Sequence, residues 1–277
     1  MLELLSPAGS MESLRAAVHN GADAVYLGFG SFNARQGAKN FTYDELREAV
    51  KYCHIRGVKV HLTLNTLVTD REMPKVADLI RSAAQCDVDA FIVQDLGVVN
   101  LCRQIAPLIP LHASTQMSIH NLEGVRQAAA MGLSRVVLAR ELGRDQIAYI
   151  CRNSPIEIEV FVHGALCMCY SGQCYMSAVI GRRSGNRGQC AQPCRLPYGF
   201  SRFENKYPLS LKDNCLVEWL WELENMGVAS DKIEGRMKRP EYVATATKIY
   251  RSVLDGGRIG RKQLSDLRDA FSRQGFT

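Results

Sequence analysis

Cys167, Cys174, Cys190 and Cys194 are spaced C-x6-C-x15-C-x3-C within the segment FVHGALCMCYSGQCYMSAVIGRRSGNRGQCAQPCR. Gly, Ser, Asn and Arg fill most of the gaps, so the segment has too little apolar content to order itself against a core. Thiolates converging on one centre would order it, because a soft metal or an iron–sulfur cluster closes a long loop and adds its binding energy to folding. Zinc is the competing occupant. Structural zinc sites usually contain tight C-x2-4-C knuckles, and only the CAQPC pair resembles one.

The rest of the 277 residues must position that segment. Hydrophobic residues make up 47% and charged residues 22%, the balance of a globular chain long enough for one large α/β domain or two small ones. No run of about 18 apolar residues exists, which excludes a single membrane-crossing helix. The start, MLELLSPAGS, is unlike a secretory leader, so a cytoplasmic location is expected. There the ten cysteines would be reduced thiols rather than a disulfide framework. Cys53, Cys86, Cys102, Cys151 and Cys215 fall in helix-like segments and read as small core hydrophobes. The net charge of +6 is compatible with an anionic partner. Arg182, Arg183, Arg187 and Arg195 lie in the cysteine segment, with Arg202 and Lys206 just beyond. They read as a phosphate-contact surface or as a balance for thiolate charge.

Short apolar strands alternate with amphipathic helices along the chain. Strands are predicted at Glu3–Leu5, Ala24–Leu27, Lys59–Leu64, Ala90–Gln94, Leu111–Ser114, Arg135–Ala139, Ile156–Val162 and Ala229–Ile233. Helices are predicted at Met11–His19, Tyr43–Arg56, Met73–Cys86, Leu122–Met131 and Pro240–Leu254. Thr42 with Glu45 forms a capping-box pattern, and Gly21, Gly57 and Gly132 stand where left-handed C-caps belong. Eight such units predict a closed (β/α)8, TIM-barrel-like α/β domain over residues 1–255, with the cysteine-rich segment 164–195 inserted after the seventh strand. No GxGxxG follows the first strand, which counts against an open dinucleotide-binding sheet. Residues 256–277 read as a charged helical tail that leads towards a missing C-terminal domain.

Barrel enzymes keep their chemistry where the strands end. Polar residues mark those positions here: Asn33, Arg35, Asn65, Gln116, Arg140, His163, Glu234 and Arg236. The cysteine segment would hang over the same mouth.

The blocks LLSPAGSMESLRAAVHNGADAVYLGF, EVFVHGALCMCYSGQCYMS, GQCAQPCR and KIEGRMKRPEYVA resemble the collagenase-like peptidase family of unassigned catalytic type. That family includes oxygen-independent, prephenate-dependent hydroxylases of tRNA or rRNA and hydroxylases of ubiquinone biosynthesis. The resemblance implies a barrel and a 4Fe–4S cluster on Cys167, Cys174, Cys190 and Cys194, with Cys215 in reserve and Cys169 a bystander. It implies hydroxylation of an RNA base with prephenate as oxygen donor. Arg35, Arg140 and Arg236 are candidates for the donor's carboxylates and His163 for proton transfer, with Glu234 beside them. Asn33, Asn65, Gln116, Tyr170, Arg182 and Arg183 are candidates for substrate binding, and Tyr170 or Tyr175 for stacking on an unpaired base. Two rival expectations stand beside it. One is peptide hydrolysis, although neither HExxH nor GxSxG is present. The other is a non-catalytic cluster subunit working with a protein partner or a second copy.

Overall fold

The computed structural model describes residues 2–35, 37, 39–199, 207–273 and 275–277. Arg202 and Lys206 lie outside the described residues. Eight parallel strands close on themselves: β1 (Glu3–Pro7), β2 (Ala24–Gly28), β3 (Lys59–Leu64), β4 (Ala90–Val93), β5 (Leu111–Ala113), β6 (Arg135–Val137), β7 (Glu157–Ala165) and β9 (Ser230–Ile233). Each pairs with its predecessor, and β9 seals the ring between β7 and β1. The eight predicted strands are these eight staves. One further strand, β8 (Asp213–Cys215), runs antiparallel to the end of β7, so Cys215 lies on a strand and not in a helix-like segment.

Helices α1 (Met11–His19), α2 (Tyr43–His54), α3 (Met73–Gln85), α4 (Leu96–Ile105), α5 (Leu122–Ala130), α6 (Arg144–Asn153), α7 (Met176–Gly181), α8 (Leu220–Met226), α9 (Pro240–Leu254) and α10 (Arg261–Ala270) complete the chain. The capping box at Thr42 is formed in both directions. Outward strand residues such as Leu4, Val25, Leu62, Phe91 and Val160 pack against the apolar faces of the surrounding helices, forming one continuous core. No described helix is long and apolar enough to cross a membrane.

The lumen is not filled with aliphatic residues alone. Its lower layer places Glu159, fully buried, between two cations: Lys232 Nζ donates to one carboxylate oxygen at 2.8 Å and Arg135 to the other at 3.2 Å. Arg135 also reaches Glu3 and Glu157. Burial alone would raise the Glu159 carboxyl, but the charges of Lys232 and Arg135 hold it below its ordinary value. His61 and His112 pack edge to face beside this cluster, and burial pushes His61 down to about 4, leaving it neutral. Above lies a small apolar layer of Leu5, Ala24, Tyr26 and Ile92.

The cysteine segment leaves the end of β7 and folds over the mouth. Gly172, at φ +79°, lies so close to the Gln116 carbonyl that no Cβ would fit. Arg187 bonds the Leu67 carbonyl at 2.6 Å and forks onto Glu72 at the start of α3. Arg195 donates to the carbonyls of Leu166 and Leu211. The tail also returns to the barrel: α10 packs on α9, and Phe276 bridges to Asp213.

Two outcomes follow from these contacts. Glu159→Gln leaves two buried cations short of a counter-charge and lowers unfolding free energy by about 3–5 kcal/mol, measured by denaturant titration. The second concerns Glu72, which the hydrogen bond from Arg187 lowers from 4.5 to about 2. A carboxylate depressed in the folded state stabilises above its unfolded pKa and loses that contribution as pH falls towards the folded one. The clamp on the cysteine segment is therefore intact near neutrality and weakens as pH drops from about 4.5 towards 2. Protection factors across 182–195, corrected for the intrinsic exchange rate at each pH, fall over that window, and Glu72→Gln shows the lower protection already at pH 7.

Candidate active site at the barrel mouth

A cavity of about 630 Å³ opens at the carboxyl ends of the strands. The four spaced cysteines, Cys167, Cys174, Cys190 and Cys194, all line it, along with Arg35, Asn65, Gln116, Arg140, Tyr170, Arg183, Glu234 and Arg236. Among the described residues, eight arginine and lysine side chains line this space against the single carboxylate of Glu234. Such a walled, cationic mouth concentrates anionic ligands.

Each group is held by the strand that carries it. Glu234 follows β9 and pairs with Arg35 at 3.0 Å. Burial acts to raise the Glu234 carboxyl, and the surrounding Arg35, Arg140 and Arg236 overcome it, so the group stays ionised. Arg236 is 6% exposed, and its described bonds go from Nη1 to Thr63 Oγ1 at 2.8 Å and to Asn33 Oδ1 at 3.2 Å. Burial without a bonded carboxylate pushes Arg236 down to about 10, so it remains a cation near neutrality. Its approach depends on Gly28, where a Cβ would stand 2.9 Å from Arg236 Nη1. Asn65 donates to Ser114 at 3.1 Å and accepts from the Ala34 amide at 3.0 Å, which fixes the loop bearing Arg35. Burial also pushes the Lys238 amine down to about 8, and its ammonium lies over the ring of Phe271.

Three expected site residues stand elsewhere. His163 is 1% exposed and lies outside the cavity lining, among Tyr242, Tyr250 and Phe276. Its Nδ1 is 3.2 Å from the Tyr250 hydroxyl, and burial pushes it down to about 4. The register shift between Phe161 and His163 breaks the alternation that would have aimed the ring inward. Proton transfer at the mouth by His163 therefore finds no support in this placement. Asn33 is fully buried and supports Arg236 instead of facing the cavity. Arg182 is exposed at the left-handed C-cap of α7, away from the lining. The mouth also receives residues the sequence did not single out. Tyr26 and Lys232 rise from the lumen, and Phe271 and Arg273 arrive from the tail. The signal available for Lys232 was a charged residue inside a predicted strand, in a β9 that also carries Asp231.

All ten cysteines are free thiols. The four at the mouth offer the donor set of a 4Fe–4S cluster. Arg140 Nη2 donates to Cys167 Sγ at 3.0 Å, and the Gln192 amide to Cys190 Sγ at 3.4 Å. Such N–H···S bonds are how proteins support cluster thiolates. Burial raises the Cys194 thiol, and the nearby Cys167, Cys190 and Cys174 add to it while Arg195 opposes. Among the described residues no three His, Cys, Asp or Glu side chains are grouped closely enough to hold one metal ion. Cys215, the reserve ligand, is outside the cavity and within 3.9 Å of the Tyr250 hydroxyl.

Comparison with known proteins agrees with this architecture. The chain is 45% identical over 260 residues to the 23S rRNA 5-hydroxycytidine C2501 synthase of Escherichia coli, covering 92% of this chain and 39% of that protein. It is 38% identical over 265 residues to tRNA hydroxylation protein P1 of Bacillus subtilis, covering 91% and 63%. The chain thus spans less than two thirds of the length of either relative. The structure of the U32 peptidase Mk0906 superposes with a TM-score of 0.57 at 14% identity, covering 85% of this chain and 93% of that one, a likeness of fold. The model of peptidase family U32 matches residues 9–277, and the chain belongs to that family.

Proposed function

We propose that this protein hydroxylates a base in tRNA or rRNA without molecular oxygen, using prephenate as oxygen donor and a 4Fe–4S cluster. The observation that carries the reading is one cavity lined by both the four spaced cysteines and an arginine-rich wall in which Glu234 is the single carboxylate among the described residues. The naming of relatives at 38% and 45% identity as RNA hydroxylation proteins supports the substrate class. Cys167, Cys174, Cys190 and Cys194 would hold the cluster, which when bound supplies electron-transfer and Lewis-acid chemistry. A reducing, cytoplasmic setting suits such thiols.

The chain's own groups then have separable tasks. Arg236, a buried cation with no described carboxylate partner, receives one carboxylate of a dicarboxylate donor. Arg35 and Glu234 neutralise each other and shape the wall. Tyr170, 65% exposed and edge-on to His120 at 5.5 Å, offers a stacking face at the rim for an unpaired base. Lys232, bonded to Glu159, forms part of the floor beneath them.

For peptide hydrolysis, the activity in the family's name, the contacts of the described histidines give no assembled nucleophile and base. The histidine nearest the cysteines in sequence is buried against Tyr250, and His120 is bonded to Glu141.

The test is mass spectrometry of tRNA and rRNA nucleosides from cells lacking the protein and from cells complemented with it. A hydroxylated nucleoside that disappears and returns supports the reading, and unchanged nucleosides with peptide cleavage by purified protein would overturn it. Removing the charge-assisted contact of Arg236 should weaken prephenate binding about tenfold or more in Arg236→Gln, read by calorimetry. Tyr170→Ala should raise KM for RNA about 5- to 100-fold, the range expected for losing one base-stacking contact, with prephenate affinity retained.

A further inference from the structure

The geometry assigns Arg140 a role in setting the reduction potential of the cysteine-bound centre, in place of the carboxylate binding expected of it. This rests on the cluster reading above. All three guanidinium nitrogens of Arg140 are already engaged: Nε with Ser171 Oγ at 3.4 Å, Nη1 with the Ala165 carbonyl at 3.4 Å, and Nη2 with Cys167 Sγ at 3.0 Å. Three of its five N–H donors are therefore committed within the protein, and its best-formed side-chain bond ends on a sulfur.

A clamp behind it fixes this aim. Ser171 is fully buried and donates from Oγ to Glu141 Oε2 at 2.9 Å, while its amide donates to Glu141 Oε1 at 2.8 Å. Glu141 in turn faces His120 Nε2 at 2.9 Å, and His120 stands edge-on to the Tyr170 ring. Arg140 is thus a positioning residue at the end of a bonded row that begins at the rim.

A fixed cation donating N–H to a ligand sulfur stabilises the more negative, reduced state of a cluster and raises its potential. Neutralising it lowers the potential; a lysine, with one compact charge and no fork, recovers only part.

The experiment measures iron, acid-labile sulfide and midpoint potential by redox titration followed by absorbance, on anaerobic wild type, Arg140→Gln, Arg140→Lys and Ser171→Ala. The expected result is equal iron content, a lower potential in Arg140→Gln and a partial return in Arg140→Lys. Ser171→Ala, which loosens the clamp and keeps the cation, lowers the potential less and carries the measurement if Arg140→Gln does not fold. Iron-loaded variants with the wild-type potential would overturn the role of Arg140 alone. Wild type without iron would overturn the cluster reading and this role with it.

Discussion

Glu159 sits in the lumen with a lysine on one oxygen and an arginine on the other, and the three side chains come from β7, β9 and β6. With Glu3 on β1 the group spans the strands that close the barrel. The mouth depends on this arrangement. Strand ends can only present Arg35, Arg140, Glu234 and Arg236 to one cavity if the ring beneath them is sealed in register. The charges also balance within the lumen, where Glu3 and Glu159 offset Arg135 and Lys232, so the excess of positive charge is left to the mouth above. Buried ion pairs of this sort are costly to break, and their worth here lies in fixing one arrangement of staves.

Above that floor the cysteine segment is held from outside its own sequence. Gly172 rests on the Gln116 carbonyl, Arg187 reaches Glu72, and Arg195 is tied to backbone carbonyls on two sides. Several arginines that look like an anion-binding surface in sequence therefore serve as struts. Those facing the cavity, Arg236 above all, are the ones left for a ligand. The same distinction separates Arg140, each of whose guanidinium nitrogens already donates a bond, from Arg236, whose described bonds involve one nitrogen.

The staves of the barrel were legible because parallel strands buried on both faces read as continuous apolar runs, and helix starts such as Thr42 carry local capping chemistry. Placing Arg35, Glu234 and the four cysteines at one mouth followed from the rule that βα loops share a face. His163 escaped that logic. It is two residues before the end of β7, but the register shift between Phe161 and His163 turned it into the aromatic nest of α9 and the tail. The contributions of Phe271 and Arg273 were not legible either, because nothing local in a charged tail says where it returns. Glu159 was visible as a charge between apolar neighbours in β7 and Lys232 as a charge within the predicted β9, yet only the closed ring brings them within 2.8 Å. Long-range contacts of this kind carry no short-range signature.

The central claim is that the four thiols at the mouth hold an iron–sulfur cluster, and its most direct test is composition. Iron, zinc and acid-labile sulfide would be determined on protein purified without oxygen, for wild type and for Cys190→Ala. About four irons and four sulfides per chain in wild type, lost in the variant, is the predicted result. Zinc in place of iron, or a folded chain with no metal, would contradict it.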